Sequence, residues 1–158
     1  MKARLGIIAA FLLSFSTPGV FAYLITPWSY EDLFAKSDFV VIATPLAAPR
    51  DTSERMTLEG ISPPVRVIGV TTEFQTLFVL KGSKRPRFKL HHYRKPPPKP
   101  NVIVMGGPAL ATFDPAKGRK RYLLFLVREA DGRFAPVSGQ KDPATISVHE
   151  VLGDTVDD

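Results

Sequence analysis

RYLLFLVREADGRFAPVSG, residues 121 to 139, is the stretch whose reading decides the architecture. Its run YLLFLV, 122–127, is too short for an ordinary helix and too apolar for a strand with one wet face. Ala130-Asp131-Gly132 follows as a turn, and FAPV at 134–137 resumes the apolar pattern. The stretch therefore reads as a buried strand turning back in a hairpin. The rest of the chain has to supply partners for that strand or decorate its rim.

At the far end, residues 1–22 read as a cleavable signal peptide. Lys2 and Arg4 form a positive start, and the apolar run 5–15 is broken only by Gly6 and Ser14. A run of that length falls short of the about 20 residues that a membrane span requires. Thr17-Pro18-Gly19 breaks any helix, and Val20-Phe21-Ala22 places cleavage near Ala22. No cysteine is present to carry a lipid anchor, so an exported, periplasmic or extracellular protein without a stable membrane span is expected.

What remains, 23–153, is long enough for one domain and one core, with 154–158 an acidic frayed tail. The absence of cysteine removes disulfides, thiol catalysis, iron–sulfur clusters and thiolate zinc sites. Fifteen prolines and eleven glycines favour many turns and short strands over a helical bundle.

Between those ends the elements follow in order. Ser29 with Asp32 three residues on forms a capping box, and Trp28 and Leu33 occupy the staple positions of a short helix ending near Ser37. FVVIAT at 39–44 reads as a central strand ended by Pro45. Residues 46–63 read as a polar excursion. A long strand follows over 65–80, with Gly69 marking a bulge or bend and Phe74, Thr76, Phe78 and Leu80 sharing its apolar face. RFKLHHY, 87–93, alternates as a half-exposed strand with a basic wet face. Residues 95–100 form a polyproline-type segment and 101–105 return to apolar residues. The stretch 142–152 fits helix by its Asp-Pro start and Gly153, and strand by its β-branched residues. About five strands, a bend in the longest and one short helix predict a mainly β fold: a small five-stranded oligonucleotide/oligosaccharide-binding (OB) barrel, with a two-sheet sandwich as the alternative.

The order of these motifs resembles the netrin-like domain, the OB-barrel family that includes the inhibitory domain of the tissue inhibitors of metalloproteinases. The matching motifs are the helix, Ser37-Asp38-Phe39-Val40-Val41, Val79-Leu80-Lys81-Gly82, Gly118, the run 122–126 and Asp131-Gly132-Arg133-Phe134. The resemblance spans roughly residues 29–139 and implies an OB barrel. Inhibitors of this family chelate the protease zinc through an N-terminal cysteine. This chain has no cysteine, so the resemblance carries the fold and lends inhibition little support.

Catalytic patterns are sparse, and the chain reads as a non-enzyme with no cofactor. His91 and His92 are adjacent in a strand and point to opposite faces, and His149 as a third ligand leaves a metal site incomplete. Ser138 with Lys141 lies in a turn without a nucleophile elbow, and Gly106-Gly107-Pro108 lacks the residues of a phosphate cradle. Charge is the stronger clue. Between Lys81 and Arg121 stand twelve Lys or Arg against one acid, Asp114, while the rest of the mature chain is acidic. Such a block steers a protein toward anionic partners. Lys84, Arg85, Arg87, Lys89, His91, Tyr93 and Arg94 are the candidate binding residues, combining charge with aromatic surface. Outside the cytoplasm the ligand would be an anionic glycan or a lipid head group. A protein–protein interaction or protease-inhibitor-like module is the competing expectation, with an uncharacterised enzyme or metal-binding protein behind it.

Overall fold

The computed structural model describes residues 26–61, 64–97, 107–115 and 120–151. The expected signal peptide, the acidic tail and the apolar return at 101–105 lie outside them. Two helices, α1 (Tyr30–Lys36) and α2 (Pro143–Ile146), accompany seven strands: β1 (Phe39–Pro45), β2 (Arg50–Leu58), β3 (Val65–Lys81), β4 (Arg87–Arg94), β5 (Arg121–Arg128), β6 (Phe134–Pro136) and β7 (Val148–Val151).

Five of the strands close a barrel in the order β1-β3-β4-β6-β5, with β5 pairing back to β1. The expected small OB-like barrel is therefore the fold, and β2 and β7 are additions to it. β2 lies on the edge of β3 and β7 on the edge of β5. The run that opened the reading is β5. Its Tyr122, Leu124 and Leu126 face the barrel interior with Phe39, Val41, Phe74, Leu90 and Phe134. Its Phe125 faces outward under Leu33 of α1, beside Val40. Both faces are dry, which is why the run shows no alternation.

Helix α1 starts where its cap predicts. The Asp32 backbone N–H donates to Ser29 Oγ at 3.0 Å, and Ser29 Oγ donates to Asp32 Oδ2 at 2.8 Å. Trp28 and Leu33 share one small apolar cluster that seats the helix on β1 and β5. The stretch after Asp142 combines both expectations, the single turn of α2 and then strand β7.

Two expectations need correction. The polar excursion at 46–63 contains strand β2, which pairs with the first half of β3. Pro45 is the last residue of β1, as expected, and pairs with Phe74. The apolar phase of β3 does not hold to Leu80. Against β1, Ala43 faces Thr76 while Ile42 faces Phe78, and Val41 faces Val79 while Val40 faces Lys81, so Leu77 and Leu80 are each one residue too many. Those bulges flip the phase. Val79 packs against the core, and Phe78 and Leu80 are 63% and 52% exposed.

Gly69 has a specific reason. A Cβ there would meet Thr52 Oγ1 at 2.7 Å and Glu54 Cβ at 2.8 Å, so its absence lets β2 lie close over β3. The bulge expected near it sits on β2, where residues 52–54 span the place of one partner residue.

His92 points into the barrel. Its Nε2 lies 2.8 Å from Thr72 Oγ1, and its ring meets Phe113 edge to face at 5.0 Å. Burial, aided by the neighbouring His91 charge, lowers its pKa from 6.5 to about 4. The unfolded chain therefore binds a proton that the folded chain refuses. Stability that is complete above pH 6.5 falls as the pH drops toward about 4, by about 3 kcal/mol in all. Urea unfolding at about pH 7.5, 6 and 5 should show this loss, and His92→Gln should flatten it across that window.

Candidate functional site: a basic cleft backed by a carboxylate–histidine cluster

Outside the barrel, the wall made by β3 and β4 forms the floor of a cleft of about 610 Å³. The turn from β1 to β2 closes one side with Ala47, Ala48 and Arg50, and the β5–β6 turn closes the other with residues 131–134. Gly132 takes a φ of +86°, which suits the tight β5–β6 turn to glycine. Arg87 and Lys89 reach the cleft because residues 87, 89, 91 and 93 share the outward face of β4, while Phe88 and Leu90 fill the barrel.

Four cations surround the opening. Arg85, in the loop before β4, lays its guanidinium over Phe134 at 4.8 Å and Phe39 at 5.4 Å, and its Nε is buried with no hydrogen-bond partner among the described residues. Stacking on two rings fixes its direction at little entropic cost. Arg87 approaches Glu73 only to 4.0 Å with both side chains well exposed, a pair worth little. Arg50 and Lys89 have no carboxylate within ion-pair distance among the described residues. Arg133 also lines the cleft, but its charge is spent internally, on Asp131 at 2.6 Å, Glu54 at 3.2 Å and Glu129 at 3.4 Å.

Farther along the same outward face of β4 lies a partly buried cluster. His91, 5% exposed, sits between two carboxylates, with Nδ1 at 2.8 Å from Glu129 Oε1 and Nε2 at 2.7 Å from Glu54 Oε2. The Nδ1 contact is a hydrogen bond, whereas the Nε2 contact is a close approach without hydrogen-bond geometry. Tyr93 Oη donates to Glu54 Oε2 at 3.2 Å, and Gln140 Nε2 donates to the His91 carbonyl at 3.3 Å. Burial pushes the Glu54 carboxyl up. Hydrogen bonds from Arg133 and Tyr93, with the charges of His91 and Arg133, outweigh that and leave it below the usual glutamate value. Asp131 is also lowered, first by the Arg133 backbone N–H that it accepts. The cluster joins β2, β4 and the β5–β6 turn, so it holds both sides of the cleft in register.

Of the residues expected to bind, the structure brings Arg85, Arg87 and Lys89 together. Lys84 lies outside the cleft, beside the far end of β3. His91 and Tyr93 are buried, His91 between Glu54 and Glu129 and Tyr93 against Leu58 and Ile61, a correction to the basic wet face expected along all of β4. Arg94 is held by Asp51 at 2.6 and 2.8 Å. Arg50 was missed because its segment read as loop; the alternation of half-buried Thr52 and Glu54 was the available signal for a strand there.

The weaker catalytic patterns resolve into structure. Ser138 Oγ lies 2.7 Å from Ser147 Oγ, and His149 Nε2 lies 2.9 Å from the Ile146 carbonyl. No group of three His, Asp or Glu placed to hold a metal occurs among the described residues. No protein-family model and no curated protein matches this sequence.

Removing the Glu54 charge tests the cluster. Its contribution to stability is complete above the ordinary glutamate value and is lost as the pH falls through the lowered folded one. Glu54→Gln should cost about 1 kcal/mol near neutral pH and little near pH 2. Urea unfolding at the two pH values measures the difference.

Proposed function

We propose that this protein is an exported binding module whose cleft takes a segment of an anionic polymer or an anionic head group. The observation that carries this reading is the convergence of Arg50 from the start of β2 and Arg85, Arg87 and Lys89 from the stretch entering β4 on one concave surface. Glu73 and Asp131 are the acids lining it, and Asp131 is occupied by Arg133. OB barrels bind oligonucleotides and oligosaccharides on this kind of surface, a strand face flanked by the loops at its ends. Binding rather than catalysis suits a site whose histidine is committed to two carboxylates.

Export follows from the leader-like residues 1–22, and it favours an anionic glycan or lipid head group over nucleic acid. Kinship with the netrin-like domain is part of the same proposal, supported by the barrel. A further support is the economy of the electrostatics. Arg50, Arg85 and Lys89, which have no acid within ion-pair distance among the described residues, all face this one cleft, where low-dielectric walls concentrate their field.

Titrating the full chain with heparin, alginate and vesicles containing phosphatidylglycerol, across about 50 to 300 mM salt, tests the reading. Binding to a polyanion should weaken steeply with salt, and Arg50→Gln with Lys89→Gln should reduce the slope by about 2. Binding that ignores both salt and these substitutions would refute the cleft as the ligand site. Preference for the vesicles over either glycan would identify the head group as the source of charge.

A further inference from the structure

A second surface stands apart from the cleft, at the far end of β3. β4 accompanies β3 only as far as the pair Gln75 and Arg87. One more bond follows, from the Thr76 N–H to the Pro86 carbonyl at 3.0 Å. From there residues 77–80 have β1 on one edge and, among the described residues, no strand on the other. An unpaired edge presents N–H and C=O groups ready for another strand.

The side chains there are arranged for an occupant. The bulges at Leu77 and Leu80 turn Phe78 and Leu80 outward, so the two most exposed aliphatic or phenyl side chains of the described residues stand on this edge. Beside them runs a groove of about 590 Å³ between the strand and residues 84–86. Thr76 Oγ1 and Arg85 Nε, both in the groove lining, are buried polar atoms without a hydrogen-bond partner among the described residues. Each is a group for which native proteins normally supply a partner.

The geometry points to this groove as a docking site for an extended acidic peptide segment of another protein, added as a strand to the free edge of β3. Strand addition uses main-chain hydrogen bonds for affinity and alternate side chains for selectivity. Charge selects the occupant. Lys84 and Arg85 line the groove and no acid does. A second copy of the chain is disfavoured on the same ground, since edge-to-edge pairing about a two-fold axis would bring the cations of both grooves together. An acidic strand would match them and cover Phe78 and Leu80.

The test uses a synthetic peptide of about seven residues alternating Asp and Val, with a Lys-Val counterpart, followed by fluorescence anisotropy. Amide hydrogen exchange reports on residues 77–80. The Asp-Val peptide should bind and slow exchange at this edge, and the Lys-Val peptide should not. Lys84→Glu should weaken binding about tenfold, and Phe78→Ser with Leu80→Ser should abolish it. Both serines replace exposed side chains, so folding should survive. Arg50→Gln with Lys89→Gln should leave the peptide unaffected, which separates this site from the cleft. The proposal is overturned by no binding, by equal binding in Lys84→Glu, by unchanged exchange at 77–80, or by binding lost only with the cleft variant.

Discussion

The barrel depends on one narrow closure. β4 and β6 are parallel and meet through a single residue pair, Leu90 with Phe134, whereas the other joints of the barrel are antiparallel ladders of several residues. Main-chain bonding that sparse is a weak seam, and aromatic packing holds it. Phe134 packs on Phe39 at 5.0 Å and on Phe88 at 5.9 Å, and Phe88 stacks on Phe74 at 5.4 Å. Phe134, Phe39, Phe88 and Phe74 therefore come from four strands and bridge the seam from inside. Arg85 covers two of these rings from outside. The same closure brings the β5–β6 turn against β4, so the cleft is a direct consequence of how the barrel shuts.

The seam has a polar counterpart on the outer surface. Arg133 leaves the strand residue next to Phe134 and meets Glu54 from β2, while Glu129 from the turn meets His91 from β4. Apolar burial determines that β6 reaches β4. The ladder with β3 places β2, and the ion pairs tie its Glu54 to β4 and the β5–β6 turn, because a carboxylate displaced from His91 and Arg133 would stay half-buried without a donor. Gly69 makes that approach sterically possible.

Much of this was legible in the residues, and the failures have a common cause. β1, β5 and the hairpin announced themselves because burial on both faces writes an unbroken apolar run. β4 was readable from its alternation, and α1 from its cap. β2 was hidden because RDTSERMT carries no apolar face; what orders it is the spare edge of a 17-residue β3, a requirement of the backbone that side-chain patterns do not display. The outward turn of Phe78 and Leu80 was hidden for a related reason. Bulges follow from strand twist against a particular partner, and a period-2 reading carries its phase straight through them.

The candidate site inherited both errors. Residues 87, 89, 91 and 93 do share one face, as their spacing says, but Glu54, Leu58, Ile61 and Glu129 close over only the second half of it, leaving Arg87 and Lys89 wet and His91 and Tyr93 dry. The basic block between Lys81 and Arg121 was likewise one object along the sequence and several in space. Arg94 is matched by Asp51 and Lys120 by Glu150, while Lys84 faces a different groove from Lys89. A charge paired with a nearby acid contributes little field at a distance, so the surplus of the block overstates what any partner would encounter. What a partner meets is the small set of cations that folding leaves without acids. Part of that set borders two concave surfaces, with Arg85 the one residue that lines both.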